Sequence, residues 1–94
     1  MQPQSIVWDP VKAALNLAKH AVDFEDAATV LSDPLLLIQS NLGHSEDEQR
    51  WLALGESKRE LLLVVVHNED EQTIRMISAR KAGPRERRRY EQQS

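Results

Sequence analysis

The chain has 94 residues, which is enough for one small domain, and it has no cysteine, so neither disulfides nor thiolate metal sites can stabilise it. Its formal net charge is −3, and no apolar run approaches the roughly 20 residues of a membrane span. The amino terminus also lacks the basic-then-apolar pattern of a signal peptide. We therefore expect a single domain over residues 1–94, in the cytoplasm and without a membrane partner.

The first predicted elements are a short extended segment and a helix. The apolar run 6–8 predicts an edge strand or an anchoring segment. Asp9 and Pro10 then begin a helix, because aspartate caps free backbone N–H groups and proline suits the first helical position. We expect this helix to end near His20. Its predicted core stripe has helical spacing and comprises Val11, Ala14, Leu15 and Ala18.

A second helix is predicted over residues 23–32, and Pro34 stops it. Its apolar stripe comprises Phe24, Ala27, Ala28 and Leu31. Residues 35–39 then predict a strand, residues 40–47 a polar loop, and residues 48–54 another strand.

The strongest pattern is a predicted β-hairpin in the second half of the chain. Residues 61–66 are apolar without a gap, which is typical of a central strand covered on both faces. A polar break over 68–72 leads to a second strand over 73–80, and residues 84–92 predict a charged terminal helix. Within the central strand, side chains should alternate between two covering layers, Leu62 and Val64 facing one layer and Leu63 and Val65 the other.

The order of these elements predicts an α+β fold. We expect two N-terminal helices packed on a small antiparallel sheet, with a C-terminal helix after the last strand.

Charge is strongly segregated along the chain. Residues 75–90 hold seven of the 12 basic residues and one acid, a net +6, whereas the remainder has five basic and 14 acidic residues, a net −9. A basic segment on an acidic chain suggests a site for phosphates or for an acidic partner. A solvated helix face is the simpler alternative, but this segment directly follows a core strand, which favours a function.

Three residues of the hairpin are the first catalytic candidates. His67 and Arg80 should lie at strand ends where polar groups meet solvent, and strand alternation predicts that Arg75 and Arg80 face opposite ways. His67 suits proton transfer near neutral pH, although an ordinary hydrogen-bonded histidine is an equal alternative. Arginine suits phosphate because its guanidinium is a planar fork of donors. A cross-strand salt bridge is an equal alternative for Arg75, whereas Lys81 beside Arg80 favours phosphate binding there.

The other candidates lie on the preceding strand and on the last helix. Arg50 with Glu48 forms either a catalytic pair or a surface ion pair, and the surface pair is favoured. Tyr90 can stack on a base or pack the last helix on the sheet, and packing is favoured. The remaining candidates are generic phosphate contacts, namely Arg85, Arg88 and Arg89. Three scattered histidines without acid–histidine spacing predict neither a metal site nor a cofactor.

Four groups of residues follow one another along nearly the whole chain. They are Trp8-Asp9-Pro10-x-Lys12, then Asn16-x-x-Lys19-His20-x-Val22-x-Phe24, then Arg50-x-x-Ala53-x-Gly55, and finally Ile74-Arg75-x-Ile77-Ser78-Ala79-Arg80-Lys81-Ala82 with Glu86-Arg87-x-x-Tyr90. Together they resemble the BrnT family of toxins. One departure is Ala21, where the family typically has glycine.

The resemblance implies a RelE-like fold and a RelE-like ribonuclease toxin of a type II toxin–antitoxin pair. RNA would be the substrate, cleaved without a metal so that translation is inhibited. The implied antitoxin is a BrnA-like ribbon-helix-helix protein that covers the basic segment, forms a heterotetramer with the toxin and alone contacts operator DNA. The residues by themselves leave open a non-catalytic module whose basic C-terminal face only holds RNA or an acidic protein. The resemblance favours the enzyme.

Overall fold

The computed structural model describes residues 5–41, 50–70 and 72–93. Within these ranges the strands are β1 (Ser5–Val7), β2 (Leu37–Asn41), β3 (Arg50–Glu56), β4 (Leu62–Glu69) and β5 (Thr73–Lys81). The helices are α1 (Pro10–His20), α2 (Phe24–Ala28), which continues as a 3-10 turn over Thr29–Ser32, and α3 (Pro84–Glu91). None of these helices is both long and apolar enough to cross a membrane.

The five strands form one sheet in the order β1-β5-β4-β3-β2, with β4 at its centre as expected. The neighbours of β4 and the β2–β3 pair are antiparallel, but β1 runs parallel to β5. The expectation of a purely antiparallel sheet is therefore wrong, because the three residues of β1 carry no information about pairing direction. The fold remains α+β, with a mixed sheet.

Strand β4 is buried on both faces, which confirms the predicted central strand. Leu63 and Val65 belong to a core with α2 and its 3-10 turn, including Phe24 and Val30; we call this side the α1/α2 face. Leu62 and Val64 belong to a smaller core with Leu54, Ala82 and Tyr90, next to α3; we call this side the α3 face.

A β-bulge in β5 changes the predicted direction of its side chains. Val66 pairs with Ser78, whereas the next residue, His67, pairs with Met76, so Ile77 is an extra residue in β5. Met76 and Ala79 are consequently three residues apart and yet both buried in the core of the α1/α2 face.

The two arginines of β5 therefore share a face. Arg80 pairs with Val64 and Arg75 with Asn68, and these β4 residues are four apart on the same side of the strand. The prediction that Arg75 and Arg80 face opposite ways is wrong, because simple alternation ignores the inserted residue.

Helix α1 begins as predicted but buries a different face. Asp9 caps it by accepting a hydrogen bond from the Val11 N–H at 2.9 Å. The expected core residues Val11 and Leu15 are 65% and 64% exposed, while Asn16 is only 6% exposed.

Asn16 is buried because its side-chain amide forms hydrogen bonds with backbone groups of β5 and of the segment after α1. Its Nδ2 donates to the carbonyls of Ala79 at 2.9 Å and Val22 at 3.0 Å, and its Oδ1 accepts from the Ala79 N–H at 3.0 Å. Strand β1 pairs only with Thr73–Arg75, so Asn16 takes the place of a neighbouring strand further along β5. The predicted stripe of α2 is confirmed, since Phe24 and Ala27 are buried.

The chain leaves α1 through Ala21, which adopts the left-handed conformation with φ 58°. Its N–H donates to the Leu17 carbonyl at 2.9 Å and so closes the helix. Glycine is the residue that adopts this conformation at least cost. The departure from glycine at this position therefore leaves the turn itself in place.

Candidate functional site

Within the described residues, the α3 face of the sheet is only partly covered. Helix α3 lies over the end that carries Leu54, Leu62 and Val64. The rest of this side carries polar residues of β3, β4 and β5, which we call the open face: Arg50, Asn68, Arg75, Ser78 and Arg80.

One row of the open face crosses three strands. Asn68 pairs directly with Arg75. Trp51 pairs with His67, so the preceding residue, Arg50, continues that register opposite Asn68. Neighbouring strands lie about 4.8 Å apart, which places the β3 and β5 backbones of this row roughly 10 Å from one another. Arg50 is half-buried and Arg75 is exposed. Two guanidinium groups thus flank one amide.

Arg80 lies on the same face, nearer to α3, and is held by a carboxylate. Its Nη1 and Nη2 donate to Glu86 Oε1 and Oε2, both at 2.8 Å. Glu86 Oε1 also accepts from the Gly83 N–H at 2.8 Å, which ties the ion pair to the start of α3. The Arg80 side chain is still 45% exposed. It is therefore oriented and accessible to a phosphate.

The same contacts shift the ionisation of both groups. The hydrogen bonds from Arg80 lower the pKa of Glu86 to about 2, against the opposing effect of burial. Hydrogen bonding to Glu86 raises the pKa of Arg80. Arg89 contributes to the low pKa of Glu86, and its Nη1 donates to Gln39 Oε1 at 3.0 Å. Glu86 therefore stays ionised beside two arginines at neutral pH.

Tyr90 fastens α3 to the sheet, as favoured from the sequence. Its hydroxyl donates to Asp33 Oδ2 at 2.5 Å, and the Asp33 carboxylate also accepts from the N–H groups of Glu56 at 2.7 Å and Leu35 at 2.9 Å. Burial and this bond to Asp33 raise the pKa of Tyr90 to about 12. The half-buried Tyr90 ring packs against the core next to α3.

His67 lies on the opposite side of the sheet from the arginines. It is 1% exposed and pairs with Met76, on the α1/α2 face. Burial lowers its pKa, opposed by Glu69, whose carboxylate lies 4.0 Å from Nδ1. The expectation that His67 meets solvent is wrong, because β4 continues to Glu69 and His67 is inside the strand.

The remaining candidates are spread over two surfaces. Lys81 is exposed and pairs with Leu63, so it is on the α1/α2 side. Arg85 and Arg88 are exposed on α3. Glu48 lies outside the described residues. The structure thus gathers Arg50, Arg75 and Arg80 on one face, with Arg89 at its border, and leaves His67 out.

Sequence reasoning missed three polar residues of this surface. Asn68 falls in the predicted polar break, Ser78 lies in a predicted strand without an assigned role, and Glu86 enters only as the one acid of the basic segment and as part of the family resemblance. The available signal was alternation along β4, since Asn68 shares the face of Leu62 and Val64 whereas the buried Val65 and His67 face the other way. Which β5 side chains share a face with Ser78 depends on the bulge at Ile77, and no sequence pattern indicates that bulge.

Comparisons with known proteins agree with this geometry. Residues 8–86 match the family model described as "Ribonuclease toxin, BrnT, of type II toxin-antitoxin system". Among solved structures, the 1.1 Å crystal structure of the Brucella abortus ribonuclease toxin BrnT is similar, with a TM-score of 0.61 and 26% sequence identity. The match covers 85% of this chain and 97% of the Brucella chain. No curated protein matched.

The family match covers most of the chain and includes β3, β4 and β5, which carry the open face, together with Glu86. A type II system implies a protein antitoxin as partner and RNA as target. The chain belongs to the BrnT family of ribonuclease toxins of type II toxin–antitoxin systems.

Proposed function

We propose that this protein is a metal-independent endoribonuclease that binds RNA on the open face and inhibits translation in the cytoplasm. The observation that carries the proposal is the bulge at Ile77, since it brings Arg75 and Arg80 to one side of the sheet. Arg50 joins them from β3. Three guanidinium groups on one surface are suited to the RNA backbone and to the charge that develops during cleavage.

The proposed reaction uses the 2′-hydroxyl of the substrate as nucleophile. The 2′ oxygen bonds to phosphorus while its proton leaves to a base, the bond from phosphorus to the 5′ oxygen breaks, and a proton is delivered to that oxygen. The products are a 2′,3′-cyclic phosphate and a 5′-hydroxyl. Arg80 stabilises the dianionic phosphorane, Arg75 binds the RNA backbone beside it, and Asn68 and Ser78 supply neutral donors. Arg85, Arg88 and Arg89 extend phosphate contacts along α3.

The proposed reaction needs a base for the 2′ proton. The described residues of the open face include no histidine, and His67 faces the opposite side. We propose Glu48, the partner of Arg50 in the candidate pair, as the base in place of His67, because it is two residues from Arg50 in the sequence and a carboxylate can accept the 2′ proton.

The proposed partner is a BrnA-like ribbon-helix-helix antitoxin. We propose that toxin and antitoxin form a heterotetramer built on the antitoxin dimer, and that operator DNA is bound through the antitoxin alone. Support comes from the type II family and from the concentration of basic residues between 75 and 90.

The test is cleavage of an RNA oligonucleotide by the purified toxin, with and without EDTA, beside DNA of the same sequence. We expect cleavage to persist in EDTA, to leave 2′,3′-cyclic phosphate ends and to spare DNA. A single 2′-deoxy substitution at the cleaved position should block the cut. Activity that disappears on chelation and returns with Mg²⁺ would overturn the mechanism. RNA binding without any cleavage would favour the non-catalytic alternative.

A further inference from the structure

Helix α1 exposes an apolar surface that no described element covers. Its large side chains Val11, Leu15 and Leu17 are 65%, 64% and 52% exposed. At 100° per residue, Val11 and Leu15 fall on one stripe together with Ala14 and Ala18. We call these four residues the outer stripe. An exposed stripe of this kind on a small domain marks an interaction site.

A basic groove runs beside the outer stripe. It has a volume of about 290 Å³ and lies between α1 and β5, with Lys12, Leu15 and Lys19 on one side and Ile77 and Ser78 on the other. Helix α1 contains two lysines, one histidine and no acidic residue. An occupant with acidic side chains is therefore favoured beside the apolar stripe.

We propose that the outer stripe and this groove dock an amphipathic segment of the antitoxin. Its apolar side chains lie on Val11 and Leu15, and its acidic side chains pair with Lys12 and Lys19. The inference rests on the proposed function, because it assigns a surface to the partner of a type II toxin. An apolar helix face laid against an apolar groove is a common mode of peptide recognition.

Charge argues against a second copy of this chain as the occupant. A two-fold contact places the same surface on both subunits. Two antiparallel α1 helices would then bring Lys12 of one beside Lys19 of the other, and α1 has no acid to offset that repulsion. An acidic partner segment removes the conflict.

The composition of the surface argues against RNA. Single-stranded RNA is bound by positively charged grooves whose aromatic side chains stack on bases. Helix α1 has no phenylalanine, tyrosine or tryptophan, its one aromatic ring is that of the half-buried His20 at its end, and its most exposed large side chains are aliphatic. A protein segment makes use of both the aliphatic stripe and the lysines.

The position of the groove links docking to neutralisation. Ser78 borders the groove and also belongs to the open face. A docked segment that continues past Ser78, over the edge of β5, would therefore meet the open face, where RNA is proposed to bind.

The experiment uses the full-length toxin and the protein encoded by the neighbouring gene as the antitoxin probe. Leu15→Glu places a charge on the outer stripe, and Leu35→Glu is the matched control, because Leu35 is 43% exposed and precedes β2 at the opposite edge of the sheet. Each toxin is induced alone and together with the antitoxin, and growth is followed. Complex formation is measured by copurification and by calorimetry.

We expect Leu15→Glu to stay toxic alone and to escape the antitoxin, with binding weakened roughly tenfold or more, the size of a central contact. Leu35→Glu should be neutralised like the wild type. Lys12→Gln with Lys19→Gln should weaken binding and flatten its dependence on salt.

Three results would overturn the inference. Full neutralisation of Leu15→Glu is one, and no binding of the probe to the wild-type toxin is another. The third is a loss of RNA cleavage by the free Leu15→Glu and lysine variants with antitoxin binding unchanged, which would make the groove an RNA site. If the wild-type toxin cleaves no RNA in these assays, the proposed function fails instead, independently of where the antitoxin binds.

Discussion

At the scale of single residues, the proposed chemistry depends on how two guanidinium groups are held. Arg80 is fixed by a bidentate pair with Glu86, whereas Arg75 projects from the strand and is exposed. A preoriented donor stabilises a transition state without reorganising when charge develops. Arg80 should therefore contribute to the rate, and Arg75 chiefly to binding the RNA.

We expect Arg80→Ala to lower the rate of RNA cleavage about 10²- to 10³-fold, by analogy with the loss of one oriented donor. Arg75→Ala should mainly raise KM. Melting temperature should change little in either variant, because a half-exposed ion pair contributes about 1 kcal/mol or less. Arg87→Ala, on an exposed position of α3, is the control and should cleave normally. An Arg80→Ala toxin with the wild-type rate would remove Arg80 from the site.

His67 gives stability a dependence on pH. Burial lowers its pKa, so the folded protein holds neutral histidine while the unfolded chain takes up a proton below about pH 6.5. The free energy of unfolding that depends on neutral His67 is therefore fully present above the unfolded pKa. It decreases as the pH falls below that value. We expect the melting temperature to fall by a few degrees from pH 7.5 to 5.5, since about 1 kcal/mol corresponds to roughly 4–8 °C in a domain of this size.

His67→Leu isolates this contribution. Neither ring nitrogen of His67 has a hydrogen-bond partner among the described residues, so an apolar side chain should be tolerated at pH 7.5. The variant should also lose less stability on acidification than the wild type. If the melting temperatures of the two proteins fell equally between pH 7.5 and 5.5, His67 would not be the cause of the pH dependence. RNA cleavage by a folded His67→Leu toxin should continue, because the residue faces away from the open face.

At the scale of elements, a short polar network around Asp33 links α3 to the segment before β2 and to the end of β3. Tyr90 and two backbone N–H groups, of Glu56 and Leu35, all donate to Asp33. Burial raises the pKa of Asp33, but these three hydrogen bonds outweigh it and the net pKa is lowered. Their contribution to stability is therefore complete above the ordinary pKa of 3.8 and is lost as the pH falls through the folded value.

Tyr90→Phe tests this attachment because it removes one hydroxyl and keeps the packed ring. We expect a loss of about 1–3 kcal/mol at pH 7, the range for a hydrogen bond to a charged group. Chemical denaturation measures the loss, and the difference from the wild type should shrink below pH 4 as Asp33 becomes protonated. Equal stability of the two proteins at pH 7 would show that the Tyr90–Asp33 hydrogen bond does not stabilise the attachment of α3.

The elements themselves were largely predictable, because their signals are local. Asp9 and Pro10 marked the start of α1, and the apolar run 61–66 marked the central strand and both of its buried faces. Periodicity identified the apolar side of α1 but not the side that contacts the sheet. Asn16 is buried there because the edge of β5 needs hydrogen bonds, which is a property of the assembled sheet.

The site was less predictable than the fold. Arg50, Arg75 and Arg80 were identified by residue type, yet their common face depends on the one extra residue in β5. His67 was misplaced because the strand continues through polar residues to Glu69. Strand length and register come from pairing between distant segments, and a single sequence encodes these only weakly.

At the scale of the whole molecule, helices and charges are unevenly distributed around the sheet. One side is closed by α1 and α2 over the larger core, while the other combines α3 with the open face. The net charge of −3 conceals a basic segment, 75–90, that supplies β5 and α3. A single molecule thus combines the proposed RNA-binding surface with the proposed antitoxin surface beside α1.

The amide of Asn16 also affects whether the free toxin aggregates. An uncovered strand edge is a template on which strands of other molecules can add. By occupying both backbone groups of Ala79, Asn16 blocks strand addition at that residue, in the part of β5 that β1 does not reach. Asn16→Leu should therefore lower stability by roughly 2–3 kcal/mol through unsatisfied buried groups, and light scattering should reveal concentration-dependent aggregation.

Asn68→Ala, which removes an amide away from this edge, should stay monodisperse. A monodisperse Asn16→Leu toxin would mean that the edge is protected by other means. Aggregation would show that a side chain of α1 keeps this toxin soluble while its antitoxin is absent.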